Sequence, residues 1–300
     1  MLPHAGTETR TWREVVELGR TLGELPDLGP TASGARIALV LDWENWWAIQ
    51  NPDHPVVLDY LELVQRWHAA LHRQNLAVDL VRATDDLSGY ALVVLAHSYL
   101  LTDDAAATLT SFVEGGGRLL VTAFSDVVDE DDAFRDGGFQ VGLREVLGVS
   151  VLEFGATAAV TADGPFGAFE GAFLAEELAE TGAVTVLGRF TSGQAAGMPA
   201  LTARSTGSGT AHYLATIPDD AGMTALTGWL AAEAGISPVL SAGPWVEASR
   251  RGDVVTVINH GAEPVDVAVS GTDVLTGASV ESLHLEQYGW ALVRESAPAE

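Results

Sequence analysis

The sequence predicts an α/β fold, a parallel sheet with helices on both faces, followed by a small all-β antiparallel sandwich. Three observations carry that prediction. Ile37-Ala38-Leu39-Val40-Leu41 and Ala91-Leu92-Val93-Val94-Leu95 are uninterrupted apolar runs of strand length, the pattern of strands buried on both faces. Stretches of helical period alternate with them. Beyond residue 236 the pattern changes to short strands at regular spacing with glycine-containing turns.

The chain has 300 residues, which suggests about two domains. Its charge is −26, from 15 basic and 41 acidic side chains. Such a surface repels phosphates and excludes nucleic acid and anionic membranes as partners. Every basic residue is Arg; codon bias explains this better than function does. The absence of cysteine removes disulfides, cysteine-ligated zinc and a cysteine nucleophile, and agrees with a cytoplasmic location. The opening Met1-Leu2-Pro3-His4 lacks the features of a signal peptide, and no apolar run reaches about 18 residues. No cofactor is expected.

In chain order, Val15, Leu18, Leu22 and Leu25 form an amphipathic helical stripe, capped by Thr9 or Thr11 and ended by Pro26. One helix cannot bury its own stripe, so a neighbour should cover it. Residues 28–34 read as a linker. Residues 36–125 read as β-α-β-β-α-β. A helix with Pro55 near its start shows Val57, Leu61, Val64 and Leu71 on one face, with Asn75 at its stop. Further strands are Ala77-Val78-Asp79-Leu80-Val81 and Leu119-Leu120-Val121-Thr122. A helix capped by Thr102 or Asp103 ends at the Gly115-Gly116-Gly117 triplet. A short helix precedes Gly148. Strands are expected near 183–190, 199–203 and 210–216, and a closing helix over 224–233. Residues 254–258, 265–269 and 290–293 read as strands of the last unit, and the chain from Pro298 as a frayed tail.

Asp42-Trp43-Glu44-Asn45-Trp46-Trp47 organises the rest. It follows a buried strand, at the end of an α/β sheet where ligands and partners meet the fold. Three tryptophans in five residues do not all fit one core, so at least one should face a cleft or another chain. The run, with Ala48, resembles the opening of the trimerisation domain of family 42 glycoside hydrolases, mostly bacterial β-galactosidases. The resemblance continues in Asp86-Leu87-Ser88-Gly89-Tyr90, the Gly115 triplet, Phe124-Ser125, Val128-Asp129-Glu130 and residues 142–148. It departs at Thr202-Ala203-Arg204 and Ala211-His212-Tyr213. Met1-Leu2-Pro3-His4-Ala5-Gly6 resembles the last loop of the family's catalytic (β/α)8 barrel, and the first helix its last helix.

The resemblance implies three parts: residues 1–35 as a barrel remnant and linker, 36–235 as an α/β trimerisation domain, and 236–300 as a β-sandwich. That domain's fold is expected to be flavodoxin-like or class I glutamine amidotransferase-like. The parent activity implied is retaining hydrolysis of terminal β-galactosides by two carboxylates. Those lie on the barrel, so no catalytic residue is assigned here and the chain alone should be inert. Galactoside is a partner only where the barrel is present. The implied assembly is a homotrimer, with Asp42, Trp43, Glu44, Asn45, Trp46, Trp47, Asp129 and Glu130 at the subunit contact or active-site rim. A free-standing sugar-binding or oligomerisation module without activity is the alternative.

Other chemistry is weaker. Asp42 and Glu44 share a strand face and could act as acid and base, but a helix cap or ion pair is the simpler reading. His68 and His72 have the i, i+4 spacing of a metal clamp, yet Ala69 stands where a zincin needs Glu. Asp126, Asp129, Glu130, Asp131 and Asp132 lack calcium-loop spacing. The glycine triplet follows a helix, not a strand, and is no phosphate loop. The missing cysteine excludes amidotransferase chemistry, and Ser125 lacks the small neighbours of a nucleophile elbow. No metal is assigned.

Overall fold

The computed structural model describes residues 4–28 and 34–295. The expectations for Met1-Leu2-Pro3, most of the linker and the tail from Pro298 lie outside them. Contacts divide the chain into two units, Ala35–Pro238 and a second one made of Met1–Gly34 with Val239–Glu300.

In chain order the elements are α1 (Arg10–Glu24), β1 (Ile37–Val40), α2 (Trp43–Ile49), α3 (Tyr60–His72), β2 (Val78–Val81), β3 (Leu92–Leu95), α4 (Asp103–Glu114), β4 (Arg118–Thr122) and α5 (Arg144–Leu147). There follow β5 (Val149–Ala162), β6 (Phe169–Glu180), β7 (Thr185–Arg189), β8 (Pro199–Thr206), β9 (Gly209–Leu214), β10 (Thr216–Pro218) and α6 (Asp220–Glu233). The last are β11 (Val246–Arg251), β12 (Val254–Asn259), β13 (Val265–Val267), β14 (Gly271–Asp273), β15 (Ser279–Val280), β16 (Leu283–Leu285) and β17 (Trp290–Glu295).

The larger unit holds a seven-stranded sheet in the order β2-β1-β3-β4-β9-β8-β7 and a three-stranded sheet, β10-β6-β5. The pairs from β2 through β9 are parallel, whereas β9-β8 and β8-β7 are antiparallel. The second sheet is wholly antiparallel. β1 and β3 are buried at all four residues, as their apolar runs require. β2 is a half-exposed edge strand, with Leu80 53% exposed.

These strands overturn the expected architecture. The described residues form seventeen strands and only six helices, and the sheets are mixed or antiparallel. The domain is therefore not a flavodoxin-like or class I glutamine amidotransferase-like parallel sheet with helices on both faces. The cause lies in residues 149–180, where a long hairpin builds a sheet of its own. Phe169-Glu170-Gly171-Ala172-Phe173-Leu174-Ala175-Glu176-Glu177-Leu178-Ala179-Glu180 is rich in Ala, Leu and Glu, which favour helix. Pairing with β5 and β10 overrides that propensity.

Local sequence explains most helix ends. Thr9, Asp59, Thr102 and Asp219 cap α1, α3, α4 and α6 with their side chains. α3 buries Tyr60, Leu63, Val64, Trp67, Ala70 and Leu71. Val57, expected on that face, precedes the helix and is 79% exposed. In the glycine triplet Gly116 has φ +112, and a Cβ on Gly117 would fall inside the Phe112 ring. The triplet is a helix stop packed under an aromatic ring.

In the second unit, β11-β12-β17-β14-β15 and the pair β13-β16 enclose a core that includes Val255, Val257, Val267, Leu285 and Val293. α1 has no buried residue, and Leu18 and Leu22 are about half exposed. The expected cover for its stripe is not supplied among the described residues.

Candidate functional site

The run after β1 forms the helix α2, and Asp42 is its cap. Asp42 Oδ1 accepts from the backbone N–H of Glu44 at 2.8 Å and of Asn45 at 3.1 Å. The Asp42 N–H donates to the Tyr60 hydroxyl at 3.2 Å. The cap explains the acidic residue at the strand end, since it satisfies helix N–H groups that have no partner within the helix.

Asn45 faces inward and is fully buried. Its Nδ2 donates to the His97 carbonyl at 3.1 Å, and its Oδ1 accepts from the Leu100 N–H at 3.0 Å. It thereby ties α2 to the turn after β3. His97 sits in the left-handed region at φ +51. Its Nε2 accepts from Trp67 Nε1 at 3.1 Å, which leaves the proton on Nδ1, 2.8 Å from the Ala123 carbonyl. Burial lowers its pKa to about 4, so this imidazole is neutral at physiological pH.

The outer face of α2 differs in kind. Trp43 is 54% and Trp47 72% exposed, at i, i+4 spacing on one side of the helix. Trp46 is half-buried against the core, its ring 5.4 Å from that of Trp43, and its Nε1 has no acceptor. Glu44 is exposed. Trp43 and Trp47 rim a crevice of about 370 Å³ also lined by Asp42, Glu44, Arg82, Thr84, Ser98 and Thr102. It opens at the carboxyl ends of β1, β2 and β3. β1 lies between β2 and β3, so this is the switch point of the parallel strands, where α/β sheets receive ligands.

Asp129 and Glu130 lie on a loop joined to the same segment. Leu101 N–H donates to the Val128 carbonyl at 3.0 Å. Arg135 reaches both the Leu101 carbonyl and Asp103, each at 2.6 Å. Asp129 Oδ1 accepts from the N–H groups of Asp131 and Ala133, both at 3.0 Å, and so folds its own loop. Glu130 stands 3.9 Å from Arg135. The structure thus brings Asp42, Trp43, Glu44 and Trp47 together at the crevice, with Asp129 and Glu130 flanking it across the 100–103 segment.

The weaker candidates have structural explanations. Ser125 is buried, and its Oγ accepts from the Ser98 N–H at 3.0 Å. His68 and His72 stack at 5.5 Å; burial, then the neighbouring His72, lowers the His68 pKa. Among the described residues no group of three or more His, Asp or Glu is placed to hold a metal ion. Among the described residues no helix is long and apolar enough to cross a membrane.

Sequence reasoning missed the buried polar residues Tyr60, His97, Gln140, Glu176 and Tyr213, and read Asp126, which is also buried, only as part of an acidic loop. His97 follows an apolar strand directly, the one signal that could have drawn attention to it.

The site is a switch-point crevice rimmed by exposed indoles, with Asn45, Tyr60 and His97 held in packing beside it. The family profile described as the β-galactosidase trimerisation domain matches residues 35–237, and the chain belongs to that family. It matches the C-terminal part of family 42 β-galactosidases. A β-galactosidase of an Arthrobacter species is 38% identical over 287 residues, covering 92% of this chain and 41% of the relative. β-Galactosidase BgaP of Planococcus sp. (strain L4) is 35% identical over 262 residues, covering 84% and 39%. The crystal structure of a Bacillus circulans sp. alkalophilus β-galactosidase superposes with a TM-score of 0.91 at 28% identity, over 98% of this chain and 46% of that one. The chain spans less than half the length of these relatives.

Proposed function

We propose that this chain is the assembly part of a family 42 β-galactosidase and joins three copies into a homotrimer. Residues 36–235 form the oligomerisation domain, residues 1–35 the end of the catalytic barrel with its linker, and residues 236–300 an accessory β-sandwich. The observation that carries this reading is the match of residues 35–237 to a domain described by its trimerisation role. The exposed pair Trp43 and Trp47 supports it, because tryptophan is enriched at the buried centres of interfaces.

In this reading Trp43, Glu44 and Trp47 meet the neighbouring subunit at the active-site rim. Asp42, Asn45 and Trp46 hold α2 in place, and Asp129 and Glu130 flank the contact. Hydrolysis of terminal β-galactosides, with retention, belongs to a carboxylate pair on the barrel, outside this sequence. The chain alone is inert, in the cytoplasm as elsewhere. Turnover of a nitrophenyl β-galactoside by the purified chain contradicts that assignment.

The placement of α2 is tested by Trp47→Glu. The side chain is 72% exposed, so the fold should tolerate the change while the interface does not. The expected result is a native circular-dichroism spectrum with loss of the trimer. A variant that stays trimeric at every concentration places the contact elsewhere.

A further inference from the structure

One end of the five-stranded sheet in the second unit carries two exposed aromatic rings. Trp245 stands just before β11 and Tyr288 shortly before β17; they are 65% and 68% exposed. β12 lies between these two strands and runs antiparallel to both, so its last residues come to the same end. Each ring sits at the third position of a tight turn. The Val246 N–H donates to the Gly243 carbonyl at 3.0 Å across Pro244-Trp245, and the Gly289 N–H donates to the Glu286 carbonyl at 2.8 Å across Gln287-Tyr288. Pro244 presets the first turn. Tyr288 holds φ +57, a left-handed backbone that is costly for an aromatic residue.

A single buried side chain ties these turns together. Asn259, 1% exposed, ends β12. Its Nδ2 lies 2.9, 3.2 and 3.1 Å from the carbonyls of Glu263, Leu285 and Glu286, and its Oδ1 accepts from the Gly261 N–H at 2.8 Å. The Asn259 N–H donates to the Gly289 carbonyl at 2.9 Å, and the His260 N–H to the Trp245 carbonyl at 2.8 Å. Both aromatic turns are therefore fixed to the same two residues before any ligand arrives. A site set in advance avoids the entropy of ordering its own groups on binding. The two rings line an open pocket of about 630 Å³, together with Pro244, His260, Glu263 and Pro264.

We propose that this pocket binds a neutral saccharide, with Trp245 and Tyr288 stacking on pyranose rings and His260 and Glu263 bonding the hydroxyls at the ring edge. A pyranose has the matching two-sided chemistry. One face of C–H groups packs on an aromatic ring, and the hydroxyls around the edge both donate and accept. His260 Nε2 is engaged by Glu247 Oε2 at 2.7 Å, which orients the imidazole and leaves Nδ1 for a ligand. A hydroxyl suits Nδ1 in either charge state, as acceptor's donor or donor's acceptor. The ionised Glu263 carboxylate adds acceptors. The volume falls within the range of small-ligand pockets and has room for a disaccharide.

Charge and area argue against other occupants. Glu263 lines the pocket, Glu247 holds its histidine and Glu286 begins the Tyr288 turn. These carboxylates, on a chain of charge −26, repel an anionic ligand. The two rings together expose about 300 Å², whereas a standard protein interface buries about 800 Å² on each partner. The pocket lies wholly within residues 243–288, so the proposal does not depend on the trimer.

The test is NMR saturation transfer from the purified chain to lactose, maltose and cellobiose, titrated for Kd, with choline as a cationic probe of the same rings. The expected result is millimolar binding of at least one disaccharide, weakened about tenfold by Trp245→Ala and by Tyr288→Asn. Asn tolerates the left-handed backbone, so the second variant removes the ring and keeps the turn. Both positions are exposed, and both variants should melt as the parent chain does. If one of them fails to fold, the other decides. Binding of lactose alone ties the site to galactosides, as the proposed function suggests. Binding of maltose or cellobiose alone supports the site and separates it from that function. Saturation transfer to none of the three, binding that survives both variants, or binding of choline alone overturns the proposal.

Discussion

Asn45 holds two backbone segments with one side chain, accepting from Leu100 and donating to His97. Removing that amide leaves a carbonyl and an N–H buried without partners. Asn45→Ala should therefore cost about 2–4 kcal/mol in chemical denaturation. A loss below about 1 kcal/mol means that water reaches both groups. The sequence made Asp42 legible as a cap candidate because capping is local: the side chain and its N–H partners lie within three residues. Asn45 was legible only as part of the tryptophan run. Its partners are more than fifty residues away, and no local pattern announces them. The same holds for Glu176, whose partners are supplied by β9 and by the connection just after β4.

Elements with a local cause could be read, and elements defined by their neighbours could not. β1 and β3 are continuous apolar runs in sequence and are buried throughout. α4 is announced by Thr102 and closed by glycine. β5 and β6 lack such a signal, because their Ala, Gly and Glu content reads as helix or loop until the two strands pair. α1 shows the reverse case, an element whose existence is local and whose packing is not. Its Thr9 cap and apolar stripe were readable, but the stripe remains exposed, with Leu18 49% accessible. Leu18→Glu should shift the stability of this chain by no more than about 0.5 kcal/mol. A loss of about 2 kcal/mol in denaturant titrations shows that the stripe is already covered, by a second copy or by part of the chain.

At the scale of the whole molecule, the charge of −26 and the apolar strands were the signals the sequence offered. They did not fix the sheet. The strands β2, β1, β3, β4 and β9 pair in parallel, but β8 and β7 extend that sheet in the antiparallel sense, and the β5-β6 hairpin adds another, so the expected all-parallel sheet does not hold. The resemblance in residues 1–150 identified the family more surely than it identified the architecture, since short motifs survive where the connections between strands leave little trace. In the proposed reading the subunit contact is made by α2, which places two indoles outward at a crevice while Asn45 anchors the helix from within. The measurement that tests this most directly is the molar mass of the purified chain by light scattering over a dilution series. The account predicts a trimer whose mass holds as the protein is diluted. A monodisperse monomer across the series contradicts it.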